Sequence, residues 1–151
     1  MRRSRAAALL PPAALFALAL GVRLTQQHAA LLYPDGYQYL LMARGIGEHL
    51  QPTTVLGPGG DVFAPNPDAA VKPLFPLLVA GVHVLGISWL DAARFVTAVA
   101  AATTVVAAAL LATKLSGSRL AGLAVGTLLL ASPSLAFWSG FSGPDPVAQA
   151  L

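Results

Sequence analysis

The sequence predicts an all-α membrane protein: transmembrane helices, with a long extracytoplasmic first loop that contains juxtamembrane helices. Three observations carry this. The 151 residues are 56% hydrophobic and only 10% charged, whereas a soluble domain carries about 25% charged residues. The apolar residues are gathered into runs of 17 to 19 residues, near the length that crosses a bilayer as a helix. Asp, Glu, Lys and Arg lie between those runs and not within them.

Arg2, Arg3 and Arg5 precede the first run, Ala6 to Val22, and basic residues before a span favour a cytoplasmic N-terminus. Residues 1–23 read as a first transmembrane helix, a signal anchor. A cleaved signal peptide is the rival, because Ala17-Leu18-Ala19 fits the small-residue cleavage pattern. Pro11-Pro12 weakens the helix in either case. Both readings put Arg23 and the loop after it outside the cytoplasm.

Residues 24–94 form that loop, and its polar part to Pro73 holds four of the six acids. A loop of this length is more often functional than a plain connector. In Tyr33-Pro34-Asp35-Gly36-Tyr37, Pro34 disfavours helix before it, and Asp35 is a good N-cap for a helix beginning at Gly36. Gly36 to His49 suits a short helix with Leu40, Met42 and Ala43 at apolar positions. From Gln51 to Asp68 the chain is turn chemistry. Gly59-Gly60 is no phosphate-binding loop, since no strand precedes it and no Lys-Ser/Thr succeeds it.

Leu74 to Leu90 is apolar for 17 residues but contains Pro76 and His83. It either crosses the membrane or lies along its surface. If it does not cross, Lys114 and Arg119 join Arg2, Arg3 and Arg5 in the cytoplasm. Asp35 and Asp145 then share the outer face, with Trp89 and Trp138 at the outer interface, where tryptophan is favoured. We adopt that parity. Residues 95–138 form a transmembrane hairpin whose arms, Phe95 to Ala112 and Leu120 to Trp138, flank the basic break Thr113 to Arg119. Residues 139–151 make a second outer loop and the start of another helix, as expected of the amino-terminal piece of a longer protein.

Composition also excludes. The absence of cysteine rules out disulfides, thiolate metal sites and cysteine nucleophiles. The charge of +3 comes from seven arginines and two lysines spread thinly, so no nucleic-acid partner is expected. His28, His49 and His83 lack the spacing of zinc ligands.

Several short motifs then fall in a recognisable order. Asp35, Tyr39 and Ala43-Arg44 open the loop, and Lys72-Pro73-Leu74-Phe75-Pro76 closes its polar part. Ala92-Ala93-Arg94 leads into the next span, Ser132-Pro133 comes late in another, and Asp145-Pro146 comes after it. This layout resembles the N-terminal part of the GT-C polytopic glycosyltransferases that use polyprenyl-phosphate sugars, the protein O-mannosyltransferases and lipid A aminoarabinose transferases among them. The resemblance implies an integral protein of the cytoplasmic or plasma membrane with its active site facing outward. It implies transfer of a sugar from a polyprenyl-phosphate donor to an acceptor glycan, lipid or protein. It also implies further spans and a soluble domain beyond Leu151. Many relatives carry a second acid after the first; here Gly36 stands in that place, which puts a paired-carboxylate mechanism in doubt.

Such a transfer needs a base and a set of cations. Asp35 is the candidate base, and its rival role is a helix cap. Lys72 and Arg94, with Arg44 third, are candidate phosphate ligands; each alone could equally anchor to lipid headgroups. Arg44 lies nine residues after Asp35, on the opposite side of an ideal helix, so the two do not pair directly. Tyr39 is placed to stack on a sugar or to join the aromatic belt. Asp145 could cap the next helix, orient the donor, or help hold a divalent cation. The alternative from another class is a non-enzymatic polytopic membrane protein, a transporter or assembly factor, which would carry ionisable residues inside its spans.

Overall fold

The computed structural model describes residues 5–26, 34–50, 53–55, 64–65 and 73–139, with side chains for 11–26, 36–50 and 73–137. These residues fold as six helices and one small ladder. The helices are α1 (Arg5–Thr25), α2 (Pro34–His49), α3 (Leu74–His83), α4 (Trp89–Ser116), α5 (Arg119–Leu130) and α6 (Pro133–Ser139). The ladder pairs β1 (Thr53–Val55) with β2 (Ala64–Pro65), antiparallel, with Thr53 opposite Pro65 and Val55 opposite Ala64.

Helix α4 is the axis, and every other described helix touches it. Its ends are set by local chemistry. Ser88 Oγ accepts the Asp91 backbone N–H at 3.2 Å and donates to the Asp91 carboxylate at 2.7 Å. Together they form a serine-aspartate cap box that satisfies one orphan amide of the first turn. At the other end Gly117 takes φ 68°, the left-handed turn that closes many helices. Ser118 then caps α5 by accepting from Ala121 N–H.

Packing on α4 uses small residues. Ala92, Ala93, Ala98, Ala101 and Ala102 are completely buried. Gly122 brings α5 so close that a Cβ there would overlap the Thr113 hydroxyl and lie 2.6 Å from the Ala109 carbonyl oxygen. One core joins α2, α3 and the start of α4 through Ala43, Phe75, Val79, Ala92, Ala93 and Val96. A second joins α1, the middle of α4 and α6 through Ala19, Ala101, Ala102, Val105 and Leu135.

Several boundaries differ from the sequence reading. Leu74 to Leu90 is not one helix: α3 stops at His83, and a turn with Gly86 at φ 84° separates it from α4. Ten residues rise only about 15 Å, half of the roughly 30 Å hydrocarbon core. Helix α4 is longer than Phe95 to Ala112, because the Ser88 cap starts it six residues earlier. It is 28 residues with a mean hydropathy of 2.2 over its most apolar window, and among the described helices it alone is long and apolar enough to cross a membrane. The expected second arm, Leu120 to Trp138, is interrupted after Leu130. Pro133 has no N–H to continue the ladder; instead it opens α6, where Ser132 Oγ accepts from Leu135 N–H at 3.3 Å. Asp35 stands inside the first turn of α2, behind Pro34 at the first helical position, and so is not the N-cap; proline is favoured there because that N–H is unpaired in any helix. The strand pairing within 51–68, where the sequence reads as turns throughout, is a further difference.

Candidate functional site

The sequence-predicted residues whose side chains are described, Tyr39, Arg44 and Arg94, belong to the junction of α2, α3 and α4. Ala43, Ala92 and Ala93 are buried there without exposed surface, so the two Ala-Arg motifs meet through their alanines. Phe75, from the Pro73 to Pro76 motif, is 1% exposed in the same core. The Tyr39 ring meets Phe75 edge-on, with centroids 5.9 Å apart and planes at 90°. That geometry suits aromatic quadrupoles, and it gives the half-buried Tyr39 a packing role between α2 and α3.

Trp89 locks the junction from the α4 side. Its indole stacks on the His83 ring at 3.6 Å, with 17° between planes. His83 Nδ1 lies 2.6 Å from the Ile87 carbonyl oxygen; a carbonyl only accepts, so Nδ1 carries the proton. A Cβ on Gly47 would come within 2.5 Å of the Trp89 indole. Only glycine at position 47 leaves room for that ring.

The two candidate phosphate ligands among the described residues, Arg44 and Arg94, are both paired with carboxylates. Arg44 Nε donates to Glu48 Oε1 at 2.9 Å, one turn along α2, in an exposed pair. Arg94 Nη1 donates to Asp91 Oδ1 at 3.1 Å. Asp91 lies in the exposed first turn of α4, before the apolar stretch that begins at Phe95. Its carboxyl is held below the ordinary range by the Ser88 hydroxyl first and by the Arg94 guanidinium next. An anion arriving at either arginine therefore competes with a carboxylate already in place.

Asp35 contributes its backbone to the first turn of α2, four residues before Tyr39 and hence on the same helix face. Its side chain, and the whole of Lys72 and Asp145, lie outside the described residues. The divalent-cation reading, which rests on Asp145, lies there too. Among the described residues no group of three or more His, Asp or Glu could hold a metal ion.

Arg23, which the sequence marks only as a topological signpost, is fully buried. Its Nη2 donates to the Leu129 and Leu130 carbonyls at 2.9 and 3.2 Å, and Nη1 donates to Gln26 Oε1 at 2.7 Å. It thus adds a donor to the last carbonyls of α5, of which Leu129 also accepts the Ser132 N–H at 3.2 Å, and a cation there complements the helix dipole. Its Nε has no hydrogen-bond partner among the described residues. The only signal for this role in the sequence is an arginine placed directly after an apolar run.

Compared with family models, with curated proteins and with solved structures, the chain matches none of them.

Proposed function

We propose that the chain is the N-terminal membrane portion of a glycosyltransferase that moves a sugar from a polyprenyl-phosphate donor to an acceptor on the outer side of the membrane. The observation that carries this reading is the meeting of three separate motif pieces, Ala43-Arg44, Pro73 to Pro76 and Ala92 to Arg94, in one core. Those are pieces on which the resemblance to the GT-C transferases rests. The small-residue interior and outward leucines support a bilayer setting. The shortness of α3 supports the topology in which residues 74–90 stay on the outer surface.

In this reading Asp35 takes the proton of the acceptor hydroxyl. The acceptor oxygen bonds to the anomeric carbon, the bond from that carbon to the phosphate oxygen breaks, and the electron pair leaves with polyprenyl phosphate. Lys72 and Arg94 offset the charge on the departing phosphate. Arg44 is the third ligand, and both it and Arg94 exchange a carboxylate, Glu48 and Asp91 respectively, for the phosphate. Tyr39 supports the junction, and Asp145 serves on the donor side, alone or with a divalent cation.

The test is sugar transfer from a polyprenyl-phosphate donor by the full-length protein carrying Asp35→Ala or Asp145→Ala. Loss of a general base lowers the rate by about 10²- to 10⁴-fold. Unchanged transfer in both variants removes the assignment. The buried Arg23 is what favours the second reading, a non-enzymatic polytopic protein, because ionisable residues within a bundle often mark transport pathways. Membrane flux abolished by Arg23→Met, together with intact Asp35→Ala protein, would select it.

A further inference from the structure

We propose that the groove between α1, α4 and α5 holds one acyl chain of an anionic phospholipid of the surrounding bilayer, with the lipid phosphate paired to Arg119. This rests on the membrane reading above and is independent of the enzymatic one.

The groove has a volume of about 370 Å³, inside the range of small-molecule sites. Its origin is geometric. Gly122 draws α5 tightly onto α4 at Thr113, while α1 approaches α5 where Leu15 lies 3.2 Å from the position of a Gly126 Cβ. From that contact toward the α4–α5 turn the three helices leave a space, walled by Pro12, Leu15, Val106, Leu110 and Leu123. Its length from Val106 to Thr113 is two turns of α4, about 10 Å, enough for part of one tail.

Polarity runs along the groove in one direction. The polar lining residues, Thr113 and Arg119, stand together where α4 turns into α5. The Thr113 hydroxyl is already donated to the Ala109 carbonyl at 2.9 Å, which leaves Arg119 as the charged group at the mouth. Lys114, adjacent to Thr113, is also exposed. Among the described residues neither cation forms an ion pair. Water gains nothing deeper in the groove, because it finds no polar partners there. A hydrocarbon chain does, and a phosphate at the mouth finds a guanidinium whose donors match its oxygens. Two neighbouring cations favour a lipid with net negative charge over a zwitterionic one.

The polyprenyl donor is a poorer occupant. Its candidate ligand Arg94 lies 19 residues before Thr113 on α4, about 28 Å along the helix axis. That separation is close to the thickness of the hydrocarbon core, so the groove mouth and the donor site belong to opposite leaflets.

The experiment is native mass spectrometry of the full chain released from detergent, with phosphatidylglycerol, phosphatidylcholine and a polyprenyl phosphate as probes. The expected result is one retained phosphatidylglycerol, at about tenfold lower lipid concentration than phosphatidylcholine, the scale on which a pair of cations at a membrane surface favours a lipid of net negative charge. Arg119→Gln lowers retention of both lipids and narrows the gap between them, and adding Lys114→Gln brings them level. Leu123→Trp, at an exposed wall position, fills the groove and lowers retention of both. Equal retention of the two phospholipids by the unaltered chain, no effect of Arg119→Gln, or displacement of the retained phosphatidylglycerol by polyprenyl phosphate each overturns the proposal. Carbonate extraction of membranes separates the two levels: release of the chain from the membrane sinks the membrane reading and the groove together, whereas a resistant chain without lipid preference sinks the groove alone.

Discussion

Replacing single helical glycines by alanine tests the packing of α5 on α4 with an internal reference. Gly21 in α1 and Gly81 in α3 have nothing within 4 Å of where an alanine methyl would sit, so alanine there gains only helix propensity, about 1 kcal/mol. Gly126 would meet the Leu15 methyl at 3.2 Å and Ala109 Cβ at 3.4 Å; the Leu15 tip can rotate away, which leaves Gly126→Ala near neutral. Gly122 differs in kind. Its new methyl would overlap the Thr113 hydroxyl and sit 2.6 Å from the Ala109 carbonyl oxygen, which is backbone. That oxygen moves only if the helices separate. Overpacking of this sort costs about 1 to 3 kcal/mol, which is the expected gap between Gly122→Ala and Gly21→Ala. For a chain of this length the gap is roughly 2 to 12 °C in thermal midpoint. The measurement is the midpoint of each purified variant in one detergent. Thr113→Ala should recover part of the Gly122→Ala loss and not all of it, because the Ala109 carbonyl stays in place. If Gly122→Ala melts together with Gly21→Ala, the close approach of α4 and α5 is wrong.

The geometry sets three more outcomes. Gly47→Ala should push the Trp89 indole off the His83 ring and cost about 1 to 3 kcal/mol; in a Trp138→Phe background, a red shift of the remaining tryptophan emission reports it, and unchanged emission contradicts the stacking. Arg23→Met should lower stability by about 1.5 to 3 kcal/mol, the scale of hydrogen bonds made by a charged donor, read as a drop in midpoint; a rise would mean that relief of the buried, unpartnered Nε outweighs them. Asp91 has a folded pKa below its unfolded value, so its contribution is complete above the ordinary carboxylate range and is lost as pH falls through the lowered value. Asp91→Asn should therefore flatten the midpoint profile below about pH 4, and an unchanged acid limb would remove the Ser88 and Arg94 contacts from the account.

Features that depend on neighbours in the chain are legible in the residues. The apolar stretch from Phe95 to Ala112 lies inside α4, and Pro34 marks the start of α2. Ser88-x-x-Asp91 is a readable cap, and giving it weight moves the start of α4 to Trp89. Ser132-Pro133 stands out in the sequence as a motif late in a span, although a serine before proline is also how a chain stops one helix and caps the next. Contacts between distant residues are a different matter. Nothing beside Gly47 announces that Trp89 needs the space above it, and nothing beside Arg23 announces carbonyls 106 residues away. Of the candidate site, the Ala-Arg motifs are legible as fragments; that their alanines share a core depends on the turn at Gly86, whose single positive φ reverses the chain between α3 and α4.

The distribution of side-chain size along α4 and α5 ties these observations to one cause. Alanines 92, 93, 98, 101 and 102 face inward with no exposed surface, while Leu110, Leu111, Leu123 and Leu128 face outward. In water this arrangement would waste the residues that gain most from burial. Against lipid tails a buried leucine gains little over an exposed one, and stability comes from close backbone approach. Alanine and glycine supply that approach at Ala109 and Gly122, and a bulkier interior would forfeit it. The same economy confines charge to the two ends of α4, Asp91 and Arg94 at one and Lys114 with Arg119 at the other, while Thr97, Thr103 and Thr104 between them donate their hydroxyls to carbonyls of the helix itself. A protein built this way reads its environment at its ends, so substitutions at the buried alanines 98, 101 and 102 of α4 should change stability alone, and those at the ends should change what the molecule binds.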